Sequence, residues 1–155
     1  MSVAPPSPAC SLRWLGAAVL GFASSLVTMP SIAATCNLQA QGVNFGSYDF
    51  QSSQNLESVG HVIVTCDVST SYSIALSPGA GTYTTRLMQN GTHQLAYNLY
   101  TDVIHSSLWG DGSSNSVSVD GTGTVTDYPV YGSVPAGQNP YVGAYSDVVT
   151  VVLTF

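Results

Sequence analysis

Four aspartates, Asp102, Asp111, Asp120 and Asp127, and three histidines, His61, His93 and His105, are the residues whose types could run acid–base chemistry or hold a metal. Catalytic carboxylates work as pairs with separated roles. These aspartates lie in a loop-rich half of the chain beside glycine and serine, where aspartate commonly bonds its own backbone and forms a turn. The stretch "DGSSNS" from Asp111 alternates oxygen side chains as a calcium loop does, but it lacks the glycine at its sixth position and the closing glutamate. "DGTGT" has no lysine and no helix to follow it, so it is not a phosphate loop. The histidines are 32 and 12 residues apart, with no short ligand pair among them. No G-x-S-x-G elbow occurs in residues 34–155. These residues indicate neither an enzyme nor a bound cofactor or metal.

The cysteines carry a different chemistry. Arg13 precedes the apolar run "WLGAAVLGFASSLV" at 14–27, followed by Pro30 and small residues. A secretory h-region is about 7 to 15 residues long, and this run is too short to span a bilayer comfortably. Cleavage after Ala33 puts Ser31 and Ala33 at the two small-residue positions before the cut, and is favoured over cleavage after Ala34. Residues 1–33 thus read as a signal peptide, and 34–155 as one domain. Cys10 leaves with the signal. Cys36 and Cys66 remain as an even pair in an oxidising compartment, for which a disulfide is the default. It would close a loop of about 30 residues, worth about 3 to 4 kcal/mol in the chain-entropy account. Metal ligation by two lone cysteines is the weaker competitor.

Residues 34–155 carry one arginine, Arg86, no lysine and eight acids, a formal net charge of −7 with histidine neutral. One cation cannot neutralise a row of phosphates, which excludes nucleic-acid binding. Anionic membrane surfaces are disfavoured for the same reason.

The elements that must position these residues read as strands. In "HVIVTCDV", Val62, Val64, Cys66 and Val68 share one face. Tyr72, Ile74 and Leu76 continue that alternation, and Leu95, Tyr97 and Leu99 repeat it further on. Between "TYTTRLMQ" and "HQLAYNLY", Asn90-Gly91 predicts a type I′ hairpin. Turn chemistry recurs at 110–115 and 120–123, and Val130 with its neighbouring tyrosines makes a short strand. In the closing "SDVVTVVLTF", Val149, Val151, Leu153 and Phe155 form one apolar face. Leu38 and Ala40 lie on one phase and Val43 and Phe45 on the other, so a bulge or a crossing between sheets is expected at Gly42. No helical period follows the signal. About seven or eight short strands predict a β-sandwich, with a closed barrel as the structural alternative. Nine tyrosines and Trp109 also offer material for a carbohydrate surface, with Tyr100 and Trp109 the candidate exposed aromatics.

The order "C.L......FG.YD", "V.C", "Y.IALSPG.G.Y..R.M", "L.YNLY.D", "WGDG" and "VYG.VPAGQ.P..G.YSD.V.V.LTF" resembles the spore coat protein U domain family, which includes subunits of archaic chaperone-usher pili. The resemblance covers 36–155. It implies an all-β, immunoglobulin-like sandwich that lacks its last strand, with no cofactor. The vacant groove is filled first by a strand of a periplasmic chaperone and then, at an outer-membrane usher, by the N-terminal segment of another pilin subunit. In this likeness Leu38, Ala40, Val43 and Phe45 form one wall and Val149, Val151, Leu153 and Phe155 the other, with the Cys36 disulfide tying the first wall down. A donor tail needs about ten extended residues ahead of the first cysteine. Cleavage after Ala33 leaves two, so the subunit is expected to accept a strand without donating one, as a tip or terminal subunit does. The alternatives are a free-standing secreted coat or matrix protein and a glycan-binding adhesin module. The expected location is the cell surface, reached through the periplasm.

Overall fold

The computed structural model describes residues 33–155, which contain eight strands and no helix. They are β1 (Cys36–Gln41), β2 (Leu56–Leu76), β3 (Arg86–Asn90), β4 (His93–Tyr100), β5 (Leu108–Trp109), β6 (Ser116–Val117), β7 (Val119–Val134) and β8 (Val151–Thr154). The hydrogen-bonded order is β1-β2-β7-β4-β5-β6, with β3 on β4 and β8 on β2. All pairings are antiparallel except the short β5–β6 contact.

The spine is the antiparallel ladder of β2 against β7. Period-two alternation in β2 buries Val62, Val64, Cys66, Tyr72, Ile74 and Leu76, against Leu95, Tyr97 and Leu99 of β4 and Val130 and Val134 of β7. Between Thr65 and Thr70 the register slips, so four residues of β2 oppose a single residue of β7. This bulge breaks the phase expected for Val68, which is exposed although it shares parity with Cys66.

Two turn expectations are corrected. Residues 120–123 lie inside β7, paired with 70–73 of β2. Gly121 is there for close approach: a Cβ would lie against the Tyr128 hydroxyl and 2.6 Å from the Tyr72 ring. Those two tyrosines share a 3.0 Å hydroxyl–hydroxyl bond, and burial pushes the Tyr128 phenol up to about 12. In the β3–β4 hairpin the closing pair is Asn90 with His93, so the central residues are Gly91 and Thr92 and not Asn90 and Gly91. Gly91 has φ +60° and Thr92 is not at positive φ, as in a type II′ turn.

Arg86 is fully buried. Its Nη2 donates to the carbonyls of Trp109 at 2.7 Å and Ser77 at 3.0 Å, and its Nη1 to Asn98 Oδ1 at 2.8 Å. Burial lowers its pKa from the ordinary arginine value. Asn98 in turn donates to the carbonyls of Tyr83 and Thr84. One guanidinium thereby joins the β3 edge to the ends of β2 and β5.

Candidate functional site

One side of the core is left open between two extended segments. The first begins in β1, where Cys36 and Cys66 are directly opposite one another and joined by a disulfide. Pairing with β2 stops at Gln41. Beyond Gly42 the chain crosses over the core, and Val43 and Phe45 lie against Gly132 of β7, where a Cβ would come within 2.7 Å of each. Phe45 also meets the Tyr97 ring edge-on at 5.9 Å. Ser58 Oγ donates to the Asn44 carbonyl at 2.6 Å. The Tyr48 hydroxyl donates to the Pro135 carbonyl and accepts from Gln138 N–H, both at 2.9 Å.

The second segment is 145–154, whose burial alternates strictly: odd residues are half-buried and even ones exposed. Ser146 exchanges both main-chain bonds with Gln89 of β3, and Thr150 bonds Ser77 through both of its main-chain groups. By parity, Tyr145, Asp147 and Val149 aim their N–H and C=O groups the opposite way. Among the described residues these groups have no internal partner. Asp147 anchors the segment. Its carboxylate accepts from Ala80 N–H at 3.0 Å and from the Tyr97 hydroxyl at 2.7 Å. Burial, with Asp147 adding to it, raises the Tyr97 phenol far above its ordinary value.

Between the segments lies a groove of about 1000 Å³, floored by Leu76, Leu95, Tyr97, Leu99, Val130 and Val134. Of the wall residues proposed from the sequence, Ala40, Val43, Phe45, Val149 and Val151 line it. Leu38 and Leu153 pack half-buried on the core outside that lining. Phe155 is 56% exposed and lies by a separate shallow depression with Tyr72 and Asp120. The groove holds a run of apolar side chains beside an unpaired main-chain edge, which is what an added β-strand requires.

The aromatic pair from the sequence is split. Trp109 is not an exposed binding residue: it is 1% exposed, and its indole N–H donates to the Ile74 carbonyl at 3.2 Å. An indole buries a large apolar area and can satisfy its one donor inside a core. Tyr100 is half-buried with its ring edge-on to His105 at 4.8 Å. The acids are dispersed too. Asp102 caps its own loop by accepting from Ser106 and Ser107 N–H, and Asp111 accepts from Ser113, bonds that hold both carboxyls below the ordinary aspartate value. Asp127 pairs with His61 at 3.0 Å. Among the described residues no three His, Cys, Asp or Glu converge as metal ligands. Sequence reasoning gave no role to Asp147, Tyr48 or Gln138, although each is a fixed position of the quoted family motifs, in "YSD", "FG.YD" and "VPAGQ".

The sequence model of the Spore Coat Protein U domain matches residues 22–152. The chain belongs to the spore coat protein U domain family. A curated member, Protein U of Myxococcus xanthus, is 34% identical over 127 residues, spanning 73% of this chain and 71% of that protein. Among solved structures, the chain resembles a chaperone–tip adhesion subunit pre-assembly complex, CsuC-CsuE, from the archaic chaperone-usher Csu pili of Acinetobacter baumannii. The TM-score is 0.58 at 24% identity, covering 81% of this chain and 40% of the matched one. This chain therefore spans about two fifths of that chain's length. The likeness shows the fold, the immunoglobulin-like β-sandwich of this family.

Proposed function

We propose that this chain is a structural subunit of a surface pilus or coat, exported through the periplasm and assembled by strand addition into its groove. A periplasmic chaperone supplies the first strand, and at an outer-membrane usher a neighbouring subunit's segment replaces it. The observation that carries this reading is the unpaired edge of Tyr145, Asp147 and Val149 beside the open apolar groove. The floor side chains are already buried, so the gain on filling the groove comes from the half-buried wall side chains such as Val149 and Val151, at about 25 cal/mol for each Å² of apolar surface removed from water. Both the family membership and the likeness to the Csu complex support this route. No turnover or cofactor enters it.

The domain begins after signal cleavage at Ala33. Only Ala34 and Thr35 then precede Cys36, too few to span a neighbour's groove, and this favours a terminal position such as the tip.

The test is periplasmic expression with and without a chaperone of this pilus class, followed by N-terminal sequencing and equilibrium unfolding. Recovery as a chaperone complex that a donor-strand peptide dissolves is the expected result. A free monomer with a cooperative transition and no affinity for the peptide would overturn strand addition and leave a free-standing coat or matrix protein. A mature N-terminus well ahead of Ala34 would overturn the terminal position alone.

A further inference from the structure

The groove lining is mainly apolar. Asp147 is the only carboxylate among the described lining residues, which also include His61, engaged by Asp127, the phenols of Tyr48, Tyr97, Tyr141 and Tyr145, and neutral polar side chains such as Gln41 and Asn44. The Asp147 carboxylate has about four lone-pair sites. Three are used: Oδ1 accepts from Ala80 N–H at 3.0 Å and from its own neighbour Val148 N–H at 2.8 Å, and Oδ2 accepts from the Tyr97 hydroxyl at 2.7 Å. Among the described residues no cation takes the fourth. Arg86, the one arginine in residues 34–155, directs its hydrogen bonds to Ser77, Trp109 and Asn98. The remaining site on Oδ2 has no protein donor among the described residues, and an occupant that excludes solvent from it must supply a donor or leave a carboxylate acceptor unsatisfied.

The same residue lies on the unpaired edge. In a strand pair, residues directly opposite one another project their side chains to the same face. The residue of an incoming strand opposite Asp147 therefore enters the groove beside this carboxylate, whereas its neighbours two positions away meet apolar lining.

We infer that Asp147 sets the side-chain specificity of the groove: the occupant is an extended segment with apolar residues at alternate positions and one hydrogen-bond-donating side chain, of serine, threonine or asparagine type, opposite Asp147. This rests on the strand-addition reading and adds to it a register and a chemical requirement. Threonine suits the site best, because it keeps the β-branched shape that fits a strand while supplying the missing donor.

Binding of synthetic peptides to the full-length mature protein tests this. The parent peptide is an extended sequence with valine at every inward position, and threonine is scanned through those positions one at a time. Threonine should weaken binding at every position but one, where it should tighten it about tenfold, the scale of a hydrogen bond to a charged group. In Asp147→Val that position should prefer valine, with the other positions unchanged. Tyr97→Phe removes one internal donor to Oδ2, so the threonine preference there should grow. A wild-type scan with no threonine-preferring position, or a preference untouched by Tyr97→Phe, would overturn the inference. The second result serves even where Asp147→Val fails to fold. Should the all-valine parent itself not bind, strand addition fails, an outcome separate from failure of the specificity alone.

Discussion

Arg86 illustrates how a residue's type can be visible while its role is not. As the single cation of residues 34–155 it weighs on the charge balance, yet it contributes nothing to the surface because it is fully buried. A planar guanidinium suits the site, since it reaches two carbonyls and an amide oxygen in different directions while an ammonium is one compact point. Arg86→Lys is expected to cost about 2 kcal/mol or more, by leaving one of the buried acceptors unpaired, as read by a drop in urea midpoint at constant m-value. An unchanged midpoint would show that the fork geometry is dispensable. Trp109 makes the complementary point: an aromatic beside "GDG" reads as exposed, and only its seat beneath Ile74 reverses that.

Among the elements, the first wall is the one most open to a single substitution. Gly132 is paired within β7 and has an ordinary backbone, so its importance is spatial: a Cβ would meet Val43 and Phe45, both at 2.7 Å. Gly132→Ala is expected to push the wall outward, costing about 1 to 3 kcal/mol and weakening peptide binding in the groove while leaving the strand content of the circular dichroism spectrum unchanged. Unaltered peptide affinity would place the wall outside the binding surface. The alternation in β2, β4 and β8 was legible because one face of each meets the core. The length of β7 was not. Its glycines at 121 and 123 carry the composition of a turn, whereas Gly121 answers the approach of two tyrosine side chains, Tyr72 directly opposite on β2 and Tyr128 from further along β7.

Over the whole molecule, several tyrosines tie stability to pH. Burial raises the phenol pKa of Tyr97, Tyr128, Tyr83 and Tyr100 above the ordinary value of 10.0, that of Tyr128 to about 12. The neutral form is favoured in the folded state, so its contribution is complete below pH 10 and is lost as the pH rises through the folded values. Thermal midpoints should be level from neutrality to about pH 9.5 and fall steeply between about pH 10 and 12, with tyrosinate absorbance appearing together with unfolding. A midpoint that does not fall across this window would exclude the coupling.

The chain by itself determined the class of the molecule. Period-two alternation of apolar residues, an even pair of cysteines in residues 34–155 and the absence of helical periodicity there point to a disulfide-tied β protein, since each is read from the chain without knowledge of any neighbour. Cys36 opposite Cys66 and the half-buried odd face of the last strand follow the same local logic. What only the tertiary structure decided is where the unpaired groups end up. The turning of Asp147 toward Ala80 and Tyr97, the crossing of Val43 and Phe45 over Gly132, and the burial of Arg86 and Trp109 depend on contacts between segments 23 to about 90 residues apart. Sequence periodicity reports which face of a strand is apolar. Only packing determines whether that face, and the main-chain edge beside it, has a partner.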